Sequence, residues 1–118
     1  MNLFKTKYHT NTMTLKDIQK QVDDWVQQYK IEYFKPHEVL ARLVEETGEL
    51  AREINHIHGP KKKKSEEETK EMEDEMADII FTLCCLANPK NLDLDKAFER
   101  VMNKLYTRDN ERYEKKDI

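Results

Sequence analysis

The chain has 118 residues, enough for one domain with a substantial core and too few for two. Its formal net charge is -3, so the overall charge gives no reason to expect binding to nucleic acid or to an anionic membrane. We see no apolar run long enough to span a membrane and no signal peptide, and we therefore expect a cytoplasmic protein. With two Gly and three Pro in the whole chain, the composition favours an all-α fold.

The N-terminal part predicts a poorly ordered leader followed by a first helix. Residues 1–13 have no helical periodicity. A helix is predicted from about Leu15 to Tyr33 with Thr14 as its N-cap, because apolar residues recur at helical spacing: Ile18, Val22, Trp25, Val26 and Tyr29. Trp25 and Tyr29 fit either the core or a platform on which a base stacks.

A second helix is predicted from Pro36, which suits a first turn, to about His58. Gly59 is expected at the C′ position, and Pro60 prevents continuation. One side of this helix carries an apolar stripe of Leu40, Leu43, Val44, Thr47, Leu50, Ala51 and Ile54. At 100° per residue, Glu46, Glu49 and Glu53 line one edge of that stripe.

A third helix is predicted after the basic, solvated loop Lys61–Lys64, with Ser65 as N-cap, and runs to about Ala87. Its stripe consists of Met72, Met76, Ile79, Ile80 and Leu83, with Glu75 and Asp78 at the edge. Phe81 and Cys85 point away from that stripe, so the helix is apolar nearly all round and needs a second covering surface. In so small a domain we expect that surface to be another subunit.

Cys84 and Cys85 are adjacent in the third helix and are interpreted as buried, reduced thiols. A fourth helix is predicted from about Asp95 to Leu105, capped by Asp93 or Asp95, with a buried face of Leu94, Phe98, Val101 and Leu105. Lys104 and Arg108 lie one turn apart where the polar, basic C-terminal stretch begins. A short tail, residues 114–118, follows.

Packing the second and third helices by their stripes brings four acids together, because each helix contributes two carboxylates three residues apart. A converging acidic cluster is stable when cations neutralise it or when some of the acids hold protons. Oxygen ligands without a matching His or Cys set indicate Mg²⁺ or Mn²⁺. Because 38% of the residues are charged, ordinary solvated helix faces would also explain either pair.

These motifs resemble the MazG-like all-α nucleoside triphosphate pyrophosphohydrolases, and most closely their small single-domain, YpjD-like bacterial branch. The family motif is EExxE followed after a spacer by ExxD; here it is Glu45-Glu46-Thr47-Gly48-Glu49 and then Glu75-Met76-Ala77-Asp78. The resemblance covers about Thr14 to Tyr113, and we assign residues 14–113 to one such domain. It implies an oligomeric four-helix bundle.

The resemblance also implies roles for individual residues. It assigns the metal ligands as Glu46, Glu49, Glu75 and Asp78, with Glu45 or Glu49 taking the proton of the attacking water. Glu53 matches a position that binds a further metal in some members. The residues implied to face the phosphates are Arg42, Lys104 and Arg108, and those near the base are Trp25, Tyr29 and Phe34.

The implied activity is Mg²⁺-dependent hydrolysis of (deoxy)nucleoside triphosphates to monophosphate and pyrophosphate, as part of nucleotide-pool house-cleaning, with Mn²⁺ as a substitute. We expect a homo-oligomer, with a tetramer built as a dimer of dimers favoured over a dimer. Two other interpretations remain open. One is a nucleotide-binding or assembly module without turnover. The other is a carboxylate-bridged di-iron bundle, for which Glu53 and His56 form half of the usual ligand set.

Overall fold

The computed structural model describes the backbone of residues 13–60 and 65–117, and the side chains of all of these except residues 65–69. Over that part of the chain the fold is all-α. It consists of α1 (Leu15–Val26), α2 (Pro36–His58), α3 (Ser65–Ala87) and α4 (Leu94–Thr107), with a short 3-10 turn at Asn88–Lys90. The prediction of a four-helix, all-α fold is confirmed. The predicted leader lies outside the described residues apart from Met13, as does the basic loop Lys61–Lys64.

Two of the predicted N-caps are present. The Thr14 hydroxyl accepts a hydrogen bond from the Asp17 amide (3.1 Å), and the Asp17 carboxylate accepts one from the Thr14 amide (3.0 Å). The bond from the Thr14 amide to the ionised carboxylate, followed by the effect of the Thr14 side chain, lowers the pKa of Asp17. At α4 the Asp93 carboxylate accepts from the Lys96 amide (3.1 Å), so Asp93 is the cap. α3 begins at Ser65, but the side chains of residues 65–69 lie outside the described part of the chain, so the cap predicted at Ser65 stays a prediction.

The predicted end of the first helix is wrong. The helix stops at Val26, and residues 27–33 form turns closed by bonds from Tyr29 N to Val26 O (3.1 Å) and from Glu32 N to Tyr29 O (3.2 Å). Glu32 has φ 53, in the left-handed region, so a right-handed helix cannot run through this residue to Tyr33. The apolar spacing continues through this stretch because Tyr29 contacts Trp25 and Tyr33 packs against the core. The chain nevertheless has to reverse before Pro36.

The end of α2 also differs in one detail. Gly59 has φ -88 and ψ -176, so it is extended rather than left-handed and makes no C′ cap of the expected kind. Its amide donates to Asn55 O (2.7 Å), and a Cβ at this position would lie 2.2 Å from that same oxygen. Glycine is required here for a close approach of backbone to backbone.

Three contacts organise the packing of the helices. α2 and α3 pack along their lengths as a helical hairpin, and α1 lies against α3. A small core forms where α1 meets α3, from Val22, Val26 and Cys84, with Ile18, Tyr33, Cys85 and Leu94 packed around it. α4 packs against α1, and the Asp95 carboxylate ties the two together by accepting from the Leu15 and Lys16 amides (3.0 and 3.1 Å). None of the described helices has the length and apolar content needed to cross a membrane.

The helical hairpin packs on a different face from the one we predicted. The buried residues of α2 are Val39, Glu46 and Glu53, seven residues apart, so the acidic edge faces inward. Much of the stripe faces outward: Leu40 is 51% and Val44 66% exposed, and Met76, Ile80 and Leu83 on α3 are each more than 40% exposed. Leu43 and Leu50 of α2, with Met72 and Ile79 of α3, are half-buried, so only the remaining part of each stripe is turned away from the interior. The sequence did not predict this face, because the apolar sector of α2 is broad and either of its flanks could pack against another helix.

Two further expectations about buried faces are corrected. Phe81 and Cys85 face α1 in the same chain: Phe81 contacts Trp25 and Cys85 packs on the core. The expected face of α4 is mostly uncovered, because Phe98, Val101 and Leu105 are each about half exposed. Only the beginning of α4, near Leu94, meets the core. The surfaces left open in one chain are therefore the α2/α3 stripe and the α4 face.

Candidate active site

Three carboxylates from the two long helices meet at the α2–α3 contact. Glu46 comes from the inward face of α2, and Glu75 and Asp78 lie one turn apart on α3. One carboxylate oxygen from each lies within 4.8 Å of the others. The convergence predicted from the sequence is thus present for these three residues, although it arises from the inward face rather than from packed stripes.

The cluster is poorly neutralised by the protein itself. The Glu46 side chain is 10% exposed, and its Oε1 pairs with Arg42 Nε at 3.3 Å. Its Oε2 and the Oε2 of Glu75 are buried without a hydrogen-bond partner. Two carboxylate oxygens therefore remain available to a ligand.

The pKa values follow from this crowding. Burial, reinforced by the neighbouring Glu49 carboxylate and then by the charges of Asp78 and Glu46, raises the pKa of Glu75 to about 7. Burial and the same acidic neighbours raise the pKa of Glu46, against the opposing effect of Arg42. A carboxyl group that holds its proton near neutral pH is typical of a functional site.

The donor set fits a hard divalent cation. Mg²⁺ and Mn²⁺ prefer carboxylate oxygens, and a metal ion on the unpartnered oxygens of Glu46 and Glu75 would remove the cost of burying them alone. The described residues within this cluster are all carboxylates, with no His or Cys. The residues present therefore suit Mg²⁺ better than zinc or a thiolate-bound metal.

The remaining predicted acids lie nearby. Glu49 is exposed at the rim of the cluster, close enough to Glu46 and Glu75 to raise the pKa of both. Glu45 is also exposed. Glu53 is buried one to two turns further along α2, where its carboxylate lies 3.8 Å from His56 Nδ1. The roles of these acids stay predictions.

A pocket of about 460 Å³ opens beside the cluster. The three residues predicted near the base, Trp25, Tyr29 and Phe34, all line it. The ring centres of Trp25 and Tyr29 are 5.0 Å apart, and those of Trp25 and Phe81 are 5.8 Å apart at near right angles. The rest of the wall consists of Val26, Ile31, Glu32, Tyr33, Val39, Arg42, Thr82 and Cys85.

Arg42 and Thr82 join this pocket to the acids. Arg42 lines the pocket while its guanidinium pairs with Glu46. Thr82 lies one turn after Asp78, is buried, and donates its hydroxyl to the Asp78 carbonyl (2.8 Å). A flat aromatic ligand in the pocket would thus place its substituents towards the acidic cluster.

Tyr33, Phe81 and Thr82 also line the pocket, although no motif in the sequence predicts this. A usable signal for Phe81 and Thr82 was their position one turn beyond Asp78 on the same helix. The predicted phosphate-binding cations of α4 are not joined to the cluster in one chain. Lys104 and Arg108 are exposed and form no ion pair with its acids, and Arg108 instead pairs with Asp109 at 3.3 Å.

Comparison with known proteins agrees with this geometry. Residues 34–113 match the model of the MazG nucleotide pyrophosphohydrolase domain. The chain is 50% identical over 104 residues to YpjD of Bacillus subtilis (strain 168), a match covering 88% of this chain and 94% of that protein.

Two solved structures are similar as well. The crystal structure of YpjD from Bacillus subtilis has a TM-score of 0.75 at 49% identity, covering 83% of this chain and all of that one. The crystal structure of a Bacillus-conserved MazG protein, a nucleotide pyrophosphohydrolase, has a TM-score of 0.72 at 44% identity, covering 84% of this chain and 96% of that one. The chain therefore belongs to the MazG nucleotide pyrophosphohydrolase family.

Proposed function

We propose that the protein hydrolyses (deoxy)nucleoside triphosphates between the α- and β-phosphates, in a Mg²⁺-dependent reaction that yields the monophosphate and pyrophosphate. The observation that carries this proposal is the adjacency of an aromatic pocket and a cluster of acids with unpartnered oxygens, bridged by Arg42. A nucleotide has the same two parts, a flat base and a polyanionic chain. The family membership supports the same reaction class.

The acids Glu46, Glu75 and Asp78, with Glu49 at their rim, are proposed to hold the metal. When bound, Mg²⁺ would supply positive charge to the phosphate oxygens and make water a better nucleophile, with Mn²⁺ as a substitute. Glu49 or Glu45 would accept the proton of the attacking water, because both are exposed carboxylates beside the cluster.

Cations and aromatic rings would orient the substrate. Arg42 would face the phosphates from within the chain, and Lys104 and Arg108 would add charge to the departing pyrophosphate. Trp25, Tyr29 and Phe34 would stack on the base. The walls are largely apolar, which would hold a base by burial and stacking. We place this activity in the cytoplasm, in the removal of unwanted nucleotides.

The test is pyrophosphate release from a panel of ribo- and deoxynucleoside triphosphates with Mg²⁺, with Mn²⁺ and with EDTA. We expect release that requires metal, formation of the monophosphate, and loss of turnover in Glu49→Gln with the helical content unchanged. A protein that binds nucleotides tightly but releases no pyrophosphate would instead be a binding module. Bound iron with a visible absorbance would identify the di-iron alternative.

We also propose a homo-oligomer, with a dimer of dimers favoured. Two separate apolar faces are open in one chain, the α2/α3 stripe and the α4 face, and a dimer of dimers needs two different contacts. Val44→Glu is expected to reduce the particle mass measured by light scattering. The control Leu92→Glu alters another exposed apolar residue, 52% exposed, that lies on neither face. An unchanged mass for Val44→Glu, or a monomeric wild type, would refute the assembly.

A further inference from the structure

A half-buried network of polar side chains lies behind the wall of the pocket. Gln19, 8% exposed, donates through Nε2 to Asn88 Oδ1 (3.0 Å) and to the Leu92 carbonyl (2.8 Å). Its Oε1 accepts from the Leu94 amide (3.0 Å). Asn88 in turn donates through Nδ2 to the Gln19 carbonyl and to Tyr33 Oη, both at 2.9 Å. Each of these amide side chains makes several bonds within the protein.

Tyr33 is the end of this network that reaches the pocket. Its hydroxyl accepts from Asn88 and donates to Asp23 Oδ1 at 2.6 Å, so both functions of the hydroxyl are used. Burial and the adjacent Asp23 raise the pKa of Tyr33, which keeps the hydroxyl protonated as the donor to Asp23. The ring is therefore held at its far end by two directional bonds.

The position of the network separates two cavities. Tyr33 lines the apolar pocket, whereas Gln19, Asp23 and Asn88 line a second, more polar cavity of about 450 Å³. The aromatic ring thus faces the pocket, and the bonds that fix it lie on the other side. The amides of Gln19 and Asn88 in this polar cavity are already paired with each other and with the backbone.

The same ring carries the loop that forms much of the pocket wall. Residues 27–35 connect α1 to α2 outside regular helix, and Tyr29, Ile31, Glu32 and Phe34 of this loop line the pocket with Tyr33. The backbone bonds of the loop are short-range ones: the amides of residues 27–29 donate to the last residues of α1, and the Glu32 amide donates to the Tyr29 carbonyl. Tyr33 is the one loop side chain that packs against the buried core. Its bonds to Asn88 and Asp23 therefore fix where the wall stands.

We propose that Tyr33 is a positioning residue which, held by Asn88 and Asp23, sets the shape of the base pocket and so the affinity for the nucleoside part of the substrate. This inference rests on the proposed function, because it takes the pocket as the site of the base. The hydroxyl acts by holding the pocket wall and does not bond to the carboxylates of the cluster between α2 and α3. Its loss is therefore expected to alter KM rather than kcat.

The variants separate positioning from stability. Tyr33→Phe removes the hydroxyl and keeps the ring, and Asp23→Ala removes the acceptor. Asp23→Asn keeps an acceptor oxygen for Tyr33 and is the conservative rescue. Asp95→Ala is the stability control, because it removes the two bonds that tie α1 to α4 far from the pocket.

Trp25 provides a direct measure of binding, since it is the single Trp of the chain and lies in the pocket. Its fluorescence is titrated with the four common deoxynucleoside 5′-monophosphates in EDTA, so that the metal site does not contribute. Tyr33→Phe and Asp23→Ala are expected to raise Kd and KM about fivefold to tenfold, the effect of one net hydrogen bond, with kcat within about twofold of wild type. Asp23→Asn and Asp95→Ala should retain the wild-type Kd.

Two results would overturn the inference, and they differ from a failure of the proposed function. If the wild type binds a monophosphate and Tyr33→Phe and Asp23→Ala bind it equally well, the network does not position the wall. If Asp95→Ala loses as much affinity as Tyr33→Phe, the effect is general loosening. A wild type that neither binds nor hydrolyses any nucleotide refutes the proposed function itself, and the inference with it.

Discussion

Two groups of buried and half-buried polar side chains in this small protein differ in whether their polar atoms have hydrogen-bond partners. Around Tyr33, the hydroxyl and the amides of Gln19 and Asn88 all have partners within the chain. Between α2 and α3, Glu46 and Glu75 each keep a buried oxygen without one. An unpaired buried polar group costs free energy, whereas a paired network specifies a structure. The first group therefore stabilises the fold, whereas the second has the unpaired oxygens that a bound ligand would need.

The largest expected effect comes from neutralising the acidic group. Glu75→Gln keeps the shape but removes a carboxylate, and we expect kcat/KM to fall about 100-fold or more because the proposed metal site would lose a ligand. The metal-free variant should nevertheless unfold at a higher temperature than wild type, since like-charge crowding is relieved. Steady-state kinetics and thermal unfolding in EDTA measure the two effects.

The matched control is Glu99→Gln, an exposed acid on α4, which should change neither quantity. A Glu75→Gln variant that is both inactive and less stable without metal would show that the carboxylate supports the fold, and the contrast between the two groups would fail.

The converse experiment disrupts the hydrogen-bonded network around Tyr33. Gln19→Ala leaves the Leu92 carbonyl, the Leu94 amide and Asn88 Oδ1 without their partner, and we expect the free energy of unfolding to fall by about 2 to 3 kcal/mol. Denaturant unfolding at fixed Mg²⁺ gives this value. Added Mg²⁺ should stabilise the variant and the wild type by equal amounts, and unequal amounts would mean that the two groups are coupled.

The smallest expected effect is a pH dependence of the metal-free protein. The folded state holds the Glu75 proton up to about pH 7, whereas the unfolded chain releases it near the ordinary value of 4.5. Between these values the folded state binds more protons, so the free energy of unfolding attributable to this group falls as pH rises and stays low above about 7. Binding of Mg²⁺ needs the ionised form, so metal should stabilise the protein more at about pH 8 than at about pH 5.

Thermal unfolding across that range, with and without Mg²⁺, checks this dependence. Glu75→Gln is the control in which the slope attributable to the cluster should shrink. A metal-free protein whose stability rises with pH across the window would contradict the raised pKa.

Local signals in the sequence predicted what local chemistry determines. The cap at Thr14, Pro36 at a helix start and the two long helices all follow from short-range rules, and the structure confirms them. Short-range rules left the cap of α4 as Asp93 or Asp95, and the structure identifies it as Asp93. The convergence of Glu46, Glu75 and Asp78 also followed from spacing, because acids three or four residues apart share a helix face.

Contacts between residues that are distant in the sequence could not be predicted in the same way. Which flank of the α2 stripe meets α3 depends on the other helices, so Leu40 and Val44 were wrongly expected at the contact between them. The network of Gln19 and Asn88 joins residues 69 positions apart. A polar Gln19 within the apolar stripe of α1 was the available signal, but its partners had no pattern of their own.

The two adjacent free cysteines of α3 are expected to react slowly with oxygen and peroxide. Cys84 is fully buried, and burial with the neighbouring thiol raises the pKa of Cys85 to about 11. Because oxidants and alkylating reagents attack the thiolate, both sulfurs are poor targets near neutral pH, and a base bound in the pocket would cover Cys85 further. Oxidation of these two thiols is therefore not expected to be a means of regulating the protein.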